Sequence, residues 1–123
     1  MSEPIAGWRI DAAGRAALLT RFPPRYARTV ADHVTHGRKS AAPPMPGVDQ
    51  ATIVGRADDG AGVEALVVTI EGSSDRWDGS SYHITWSLGE GRAAKESNEV
   101  IAARGWEPVA DRPAIGLTPA EWP

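Results

Sequence analysis

The segment Val63-Glu-Ala-Leu-Val-Val-Thr-Ile-Glu71 constrains the fold most. Its near-continuous Ala65-Leu-Val-Val68 run reads as a central strand buried on both faces. Thr52-Ile-Val-Gly-Arg56 precedes it as a second strand. The two are joined by Ala57-Asp-Asp-Gly-Ala-Gly62, whose Asp-Gly step marks a hairpin turn. Antiparallel pairing around a buried strand therefore organises the middle of the chain.

Upstream, Asp11-Ala-Ala-Gly-Arg-Ala-Ala-Leu-Leu-Thr20 predicts a short helix capped by Asp11, with Ala12, Ala16 and Leu19 along one stripe. Pro23-Pro24 ends it, since proline lacks an amide donor and pushes the preceding residue out of helical space. Arg28-Thr-Val-Ala-Asp-His-Val-Thr35 alternates as a strand, with Val30 and Val34 on one parity and Thr29, His33 and Thr35 on the other. Ser40 to Gly47 carries three prolines, which exclude an inner strand; it is a loop or a flap over a site. Gly72 to Ser81 is a second loop, leading into the strand that holds His83. Glu96 to Arg104 predicts another helix with Ser97 as N-cap and Gly105 as its stop. Beyond it, Pro108, Pro113, Pro119 and Pro123 leave room for one short edge strand around Ala114–Leu117.

The whole chain, 123 residues, is of a size for one domain, 1–123. With 41% hydrophobic and 24% charged residues the composition is that of an ordinary soluble globular protein. No apolar run approaches the roughly 20 residues that span a bilayer. The Met-Ser-Glu-Pro-Ile-Ala start is neither basic nor followed by an apolar segment, so no secretory signal and no membrane partner are expected. The absence of cysteine removes disulfides and thiolate metal sites, and a cytoplasmic location is expected. A net charge of −3 argues against general nucleic-acid binding. Seven basic residues nonetheless cluster early (Arg9, Arg15, Arg21, Arg25, Arg28, Arg38, Lys39), as a phosphate-attracting patch or a solvated face.

Within this frame one pattern occurs twice. His33-Val34-Thr35 and His83-Ile84-Thr85 each place an imidazole and a hydroxyl on one strand face, with an apolar residue turned to the other. Two of the chain's three histidines open this pattern. Histidine takes and gives protons near neutrality, so a facing pair supports concerted acid–base attack on a phosphodiester. The Thr hydroxyls would donate to non-bridging phosphate oxygens as charge builds there. The chemistry requires no metal or other cofactor. His33 and His36 fall on opposite faces of a strand and have no obvious third ligand, so a metal site is not expected; His36 reads as a surface residue at a strand end. Phosphate-cradling Gly-rich loops and nucleophile elbows are absent.

The stretches Arg21-Phe-Pro-Pro-Arg-Tyr26, Ala31-Asp-His-Val-Thr35, Tyr82-His-Ile-Thr-Trp-Ser-Leu88 and Glu96-Ser-Asn98 together resemble the 2H phosphoesterase superfamily. The likeness is to its small RNA-repair-associated branch and to the cyclic phosphodiesterase domain of fungal tRNA ligases, and covers about Asp11 to Trp106. It implies a compact bilobal α+β fold, with antiparallel strands around a central cleft and two helices. It also implies metal-independent opening of 2′,3′-cyclic phosphates on RNA ends or small cyclic nucleotides. Carried onto this sequence, His33 and His83 become the acid–base pair, and Thr35 and Thr85 the phosphate binders. Tyr26, Trp77, Trp86, Ser97 and Asn98 are candidate substrate contacts; Trp77 either stacks on a base or covers the core edge. Here His36 follows Thr35 and Trp86 follows Thr85, where the family pattern usually continues with an apolar residue. The short chain implies trimmed lobes and a shallow cleft. A non-catalytic module holding a nucleotide or RNA terminus on the same fold is the alternative, and a plain structural domain with incidental histidines a third.

Overall fold

A computed structural model describes residues 3–123. It is α+β: two helices accompany an antiparallel sheet of eight strands. In chain order these are β1 (Ile5–Ile10), α1 (Ala12–Arg21), β2 (Arg28–Thr29), β3 (His33–Arg38), β4 (Gln50–Asp58), β5 (Val63–Thr69), β6 (His83–Leu88), α2 (Glu96–Arg104), β7 (Glu107–Pro108) and β8 (Ala114–Trp122). The sheet runs β2-β6-β5-β4-β8-β1-β3, with β7 added beside β4. No helix among the described residues is long and apolar enough to cross a membrane.

β5 is the buried strand that its composition predicts. Leu66 and Val68 face a core with Trp8, Ile53, Ile84 and Trp86. Ala65 and Val67 face a second apolar cluster with Val100 and Ile101 of α2. Alternation therefore sends neighbouring residues into two separate cores. At its end Glu71 adopts a φ of 53°, and Gly60 and Gly62 shape the β4–β5 turn with φ of 70° and 113°.

The predicted strand Arg28–Thr35 is broken. Ala31 takes a φ of 44°, a left-handed conformation costly to a residue with a Cβ. Arg15 holds the bend, its Nε donating to the Ala31 carbonyl at 2.7 Å. Before the bend, the amides of Val30 and Ala31 bond to β6 carbonyls; after it, the Asp32 carbonyl accepts from Ile10 and β3 pairs with β1. One bent segment thus joins the two ends of the sheet into a closed ring. β8 links the ring elsewhere, pairing with β4 through Ala114–Gly116 and with β1 through Leu117–Trp122. One part of the sheet carries His33 and the other His83.

Two features escape sequence reasoning. β1 is short and interrupted by Gly7 and Arg9, so its pairing on both sides is visible only in three dimensions. β8 extends beyond the expected Ala114–Leu117 through Pro119, because there it bonds only to β1 and the missing amide disrupts no second ladder. The helices differ at their starts. Asp11 occupies the N-cap of α1 without a side-chain capping bond. The N-cap of α2 is Lys95, and Ser97 lies inside the first turn, fully buried.

Candidate functional site

His33 and Thr35 stand on one side of β3, held by the pairing of Arg9 with His33 and Gly7 with Thr35. His33 Nδ1 lies 2.9 Å from Asp32 Oδ2, which also accepts from Arg9 Nη1 at 2.7 Å. Nδ1–H donates to the carboxylate, leaving Nε2 for a ligand. Burial opposes ionisation of Asp32, but the His33 hydrogen bond and Arg9 outweigh it and hold the carboxyl below its ordinary value. The indole of Trp122 packs on the imidazole with ring centroids 4.4 Å apart, fixing the ring.

His83 stands at the start of β6 and is buried. Its Nδ1 lies 2.9 Å from the Ser81 carbonyl, so Nδ1 carries the hydrogen and Nε2 the lone pair. Burial pushes its pKa down to about 4, with the charges of Arg76 and His33 acting in the same direction. The ring is neutral at neutral pH. Two residues on, the Thr85 hydroxyl lies 2.9 Å from Ser97 Oγ and 3.3 Å from the Ala94 carbonyl, both next to the start of α2.

The two strands meet at one pocket of about 350 Å³ lined by His33, Thr35, His83 and Thr85. All four residues of the repeated pattern share it, though 50 positions separate its two copies. Arg76 completes the wall. Its Nε donates to Ser80 Oγ at 2.7 Å and to Asp78 at 3.3 Å, Nη1 to the Thr35 carbonyl at 3.2 Å, and Nη2 to Asn98 Oδ1 at 2.8 Å. A guanidinium has five N–H groups, so one remains on each terminal nitrogen for an anion. Sequence reasoning missed this residue: it sits in a loop with no periodicity, between Asp75 and Trp77. Lys95 adds an exposed ammonium at the rim.

No protein-family model matches this chain, nor does any curated protein or solved structure.

The remaining candidates divide by place. Asn98 lines the pocket and steadies Arg76, while Ser97 lies behind Thr85 as its hydrogen-bond partner. Trp77 borders an adjoining groove. Tyr26 and Trp86, expected among the substrate contacts, do not line the pocket. The Tyr26 hydroxyl donates to Asp58 at 2.6 Å, beside the β4–β5 turn. Trp86 is fully buried, its Nε1 donating to the Phe22 carbonyl at 2.8 Å, because alternation sends it to the face opposite Thr85. His36 is not a surface residue. It shares the inward face of Val34, with Nδ1 2.9 Å from the Tyr82 hydroxyl and Nε2 2.9 Å from the Pro43 carbonyl.

The early basic cluster does not converge on the pocket. Arg21 pairs with Asp111, Arg25 with Asp58, and Lys39 with Glu121. Arg25 and Arg56 border another depression of about 390 Å³ beyond the end of α2, but their charges are met there by Asp58 and Glu64. Among the described residues no group of three His, Asp or Glu side chains is placed to hold a metal ion.

Proposed function

We propose that this chain is a metal-independent phosphodiesterase of the 2H type, opening 2′,3′-cyclic phosphates on a nucleotide or RNA end. The single observation that carries the reading is the convergence of His33, Thr35, His83 and Thr85 on one pocket of about 350 Å³. The bilobal 2H arrangement is supported by the two parts of the sheet, each contributing one His-x-Thr pair.

In this reading His83 is the general base, since its Nε2 carries a lone pair and burial keeps the ring neutral. It takes a proton from water as the water oxygen bonds to phosphorus. The bond from phosphorus to one ribose oxygen breaks, and His33 Nε2–H gives that oxygen a proton. Asp32 accepts the Nδ1–H of the His33 imidazolium and so aims its Nε2–H at the leaving oxygen. Thr35 and Arg76 receive the non-bridging oxygens, where negative charge grows in the transition state, and Thr85 joins them by turning its hydroxyl hydrogen away from the Ala94 carbonyl while Ser97 Oγ donates to its oxygen. Proton exchange with solvent resets the pair.

The test is hydrolysis of 2′,3′-cyclic AMP in chelator-treated buffer. His33→Ala and His83→Ala should each lower kcat by roughly a hundredfold or more, the usual weight of a positioned proton-transfer group. Turnover that survives both substitutions would overturn the reading. Affinity for the cyclic nucleotide without any product would favour a binding module instead.

A further inference from the structure

Two residues before His33, Ala31 is wholly buried and takes a φ of 44°. The left-handed conformation crowds its Cβ against the following carbonyl oxygen, so the segment relaxes toward a continuous strand unless something holds it. The bonds on either side show what the bend joins. The Ala31 amide donates to the Thr85 carbonyl at 3.0 Å, and the Asp32 carbonyl accepts from the Ile10 amide at 3.1 Å. His33 then opens β3 opposite Arg9. Three consecutive residues therefore step from the strand of one His-x-Thr pair to the strand of the other. The angle of that step sets where His33 stands relative to His83 and Thr85.

The carbonyls at the step are bonded from α1. Arg15 Nε donates to the Ala31 carbonyl at 2.7 Å, and Nη2 to the Val30 carbonyl at 3.4 Å. A planar guanidinium fixes a direction between two acceptors, as a single ammonium cannot. The helix that carries it is itself seated. Leu18 lies in the core, and a methyl group on Gly14 would come within 2.4 Å of Ile115 Cδ1 on β8. Arg15, one of the early basic cluster, thus bonds to backbone at the step and does not line the pocket.

We infer that Arg15 is a positioning residue: it holds Ala31 in the left-handed conformation and so aims His33 at the leaving oxygen, opposite His83. The inference rests on the phosphodiesterase reading for the reaction, and adds to it a residue on α1 that touches neither histidine. Its effect passes through backbone alone, from Arg15 to Ala31 to His33. Misplacing a reacting group by about 1 Å costs up to about a hundredfold, so a loosened bend reads out in kcat. Arg76 and Thr85 keep their own bonds to Asn98 and Ser97, so KM changes less.

The experiment is a double-mutant cycle on 2′,3′-cyclic AMP hydrolysis, at a temperature where circular dichroism shows every variant folded. Arg15→Met, which keeps the apolar stem without donors, should lower kcat about tenfold in the natural chain and less than about twofold in the His33→Ala background. Equal losses in both backgrounds would mean a structural role and overturn the inference, as would an unchanged kcat. Ala31→Gly, which takes a positive φ without a Cβ clash, should restore most of what Arg15→Met loses; no restoration would overturn it. Arg15→Lys, which cannot fork between two carbonyls, replaces Arg15→Met in the cycle if the latter does not fold. A second readout needs no turnover. Hydrogen exchange at the residue 31 amide should quicken about tenfold or more in either Arg15 variant, by a larger factor than the β5 amides, which report global unfolding. If the natural chain hydrolyses no cyclic phosphate, the phosphodiesterase reading fails and this exchange alone decides the hold on the bend; an unchanged rate would overturn it.

Discussion

At the scale of single residues, the two histidines differ although their local sequences are nearly alike. His33 is half-buried and tethered to a carboxylate; His83 is buried and tethered to a backbone carbonyl. In the proposed reaction that difference makes His83 the base. In the free protein His83 is deprotonated above about pH 4, so kcat/KM for 2′,3′-cyclic AMP should not fall between pH 7 and pH 5 through loss of the base. A pH profile from 5 to 8 checks this, and an acid limb centred near the ordinary histidine value of about 6.5 would remove His83 from that role. The hydroxyl–imidazole pairing on a single face was legible from i and i+2 alone, because strand alternation is a local property. The inequality of the rings was not, because desolvation depends on what the rest of the chain packs over each one.

At the scale of elements, the site depends on how closely β1 and β3 approach. Gly7 faces the Val34 carbonyl, and a methyl group there would lie 2.2 Å from that oxygen. The obstacle is backbone and cannot turn aside, so β1 and β3 would have to separate. Gly7→Ala should therefore destabilise the fold by about 2 kcal/mol or more, within the range of overpacking in a tight interior, and should also lower activity by moving His33 and Thr35. Chemical denaturation together with the cyclic-phosphate assay measures both. The elements themselves were partly readable. The β4–β5 hairpin and the end of α2 at Gly105 stand where turn chemistry puts them, Gly105 with a φ of 71°. The Arg28–Thr35 segment reads as one strand because its parity continues unbroken through Ala31. The bend is imposed by its change of partners from β6 to β1, information that the segment itself does not hold.

At the scale of the whole molecule, the buried neutral His83 ties stability to pH. An unfolded chain binds a proton at His83 near pH 6.5, whereas the folded protein resists until about pH 4. The contribution is full above about pH 6.5, is lost as pH falls toward about 4, and changes no further below. The shift corresponds to about 3 kcal/mol. Asp32, Asp58 and Asp59 act lower down. Burial opposes their charge, but hydrogen bonds and nearby arginines outweigh it, so their stabilisation is present above the ordinary carboxylate range and is lost as pH falls through their lowered values. Urea unfolding at pH 7 and pH 5 should show a clear loss of stability for the natural chain. His83→Gln, which cannot titrate, should flatten that difference.

What the sequence by itself determined is what alternation, turn chemistry and helix stops can write locally: a buried β5, a hairpin before it, two short helices, and two strands each presenting an imaginable half of a site. Only the tertiary structure decided that the halves meet, that Arg76 joins them from an irregular loop, and that Tyr26 and Trp86 stay away. The physical reason is range. Backbone periodicity acts over a few residues, whereas the pocket comes from the bend at Ala31 and the double pairing of β8, which close the sheet across the full length of the chain.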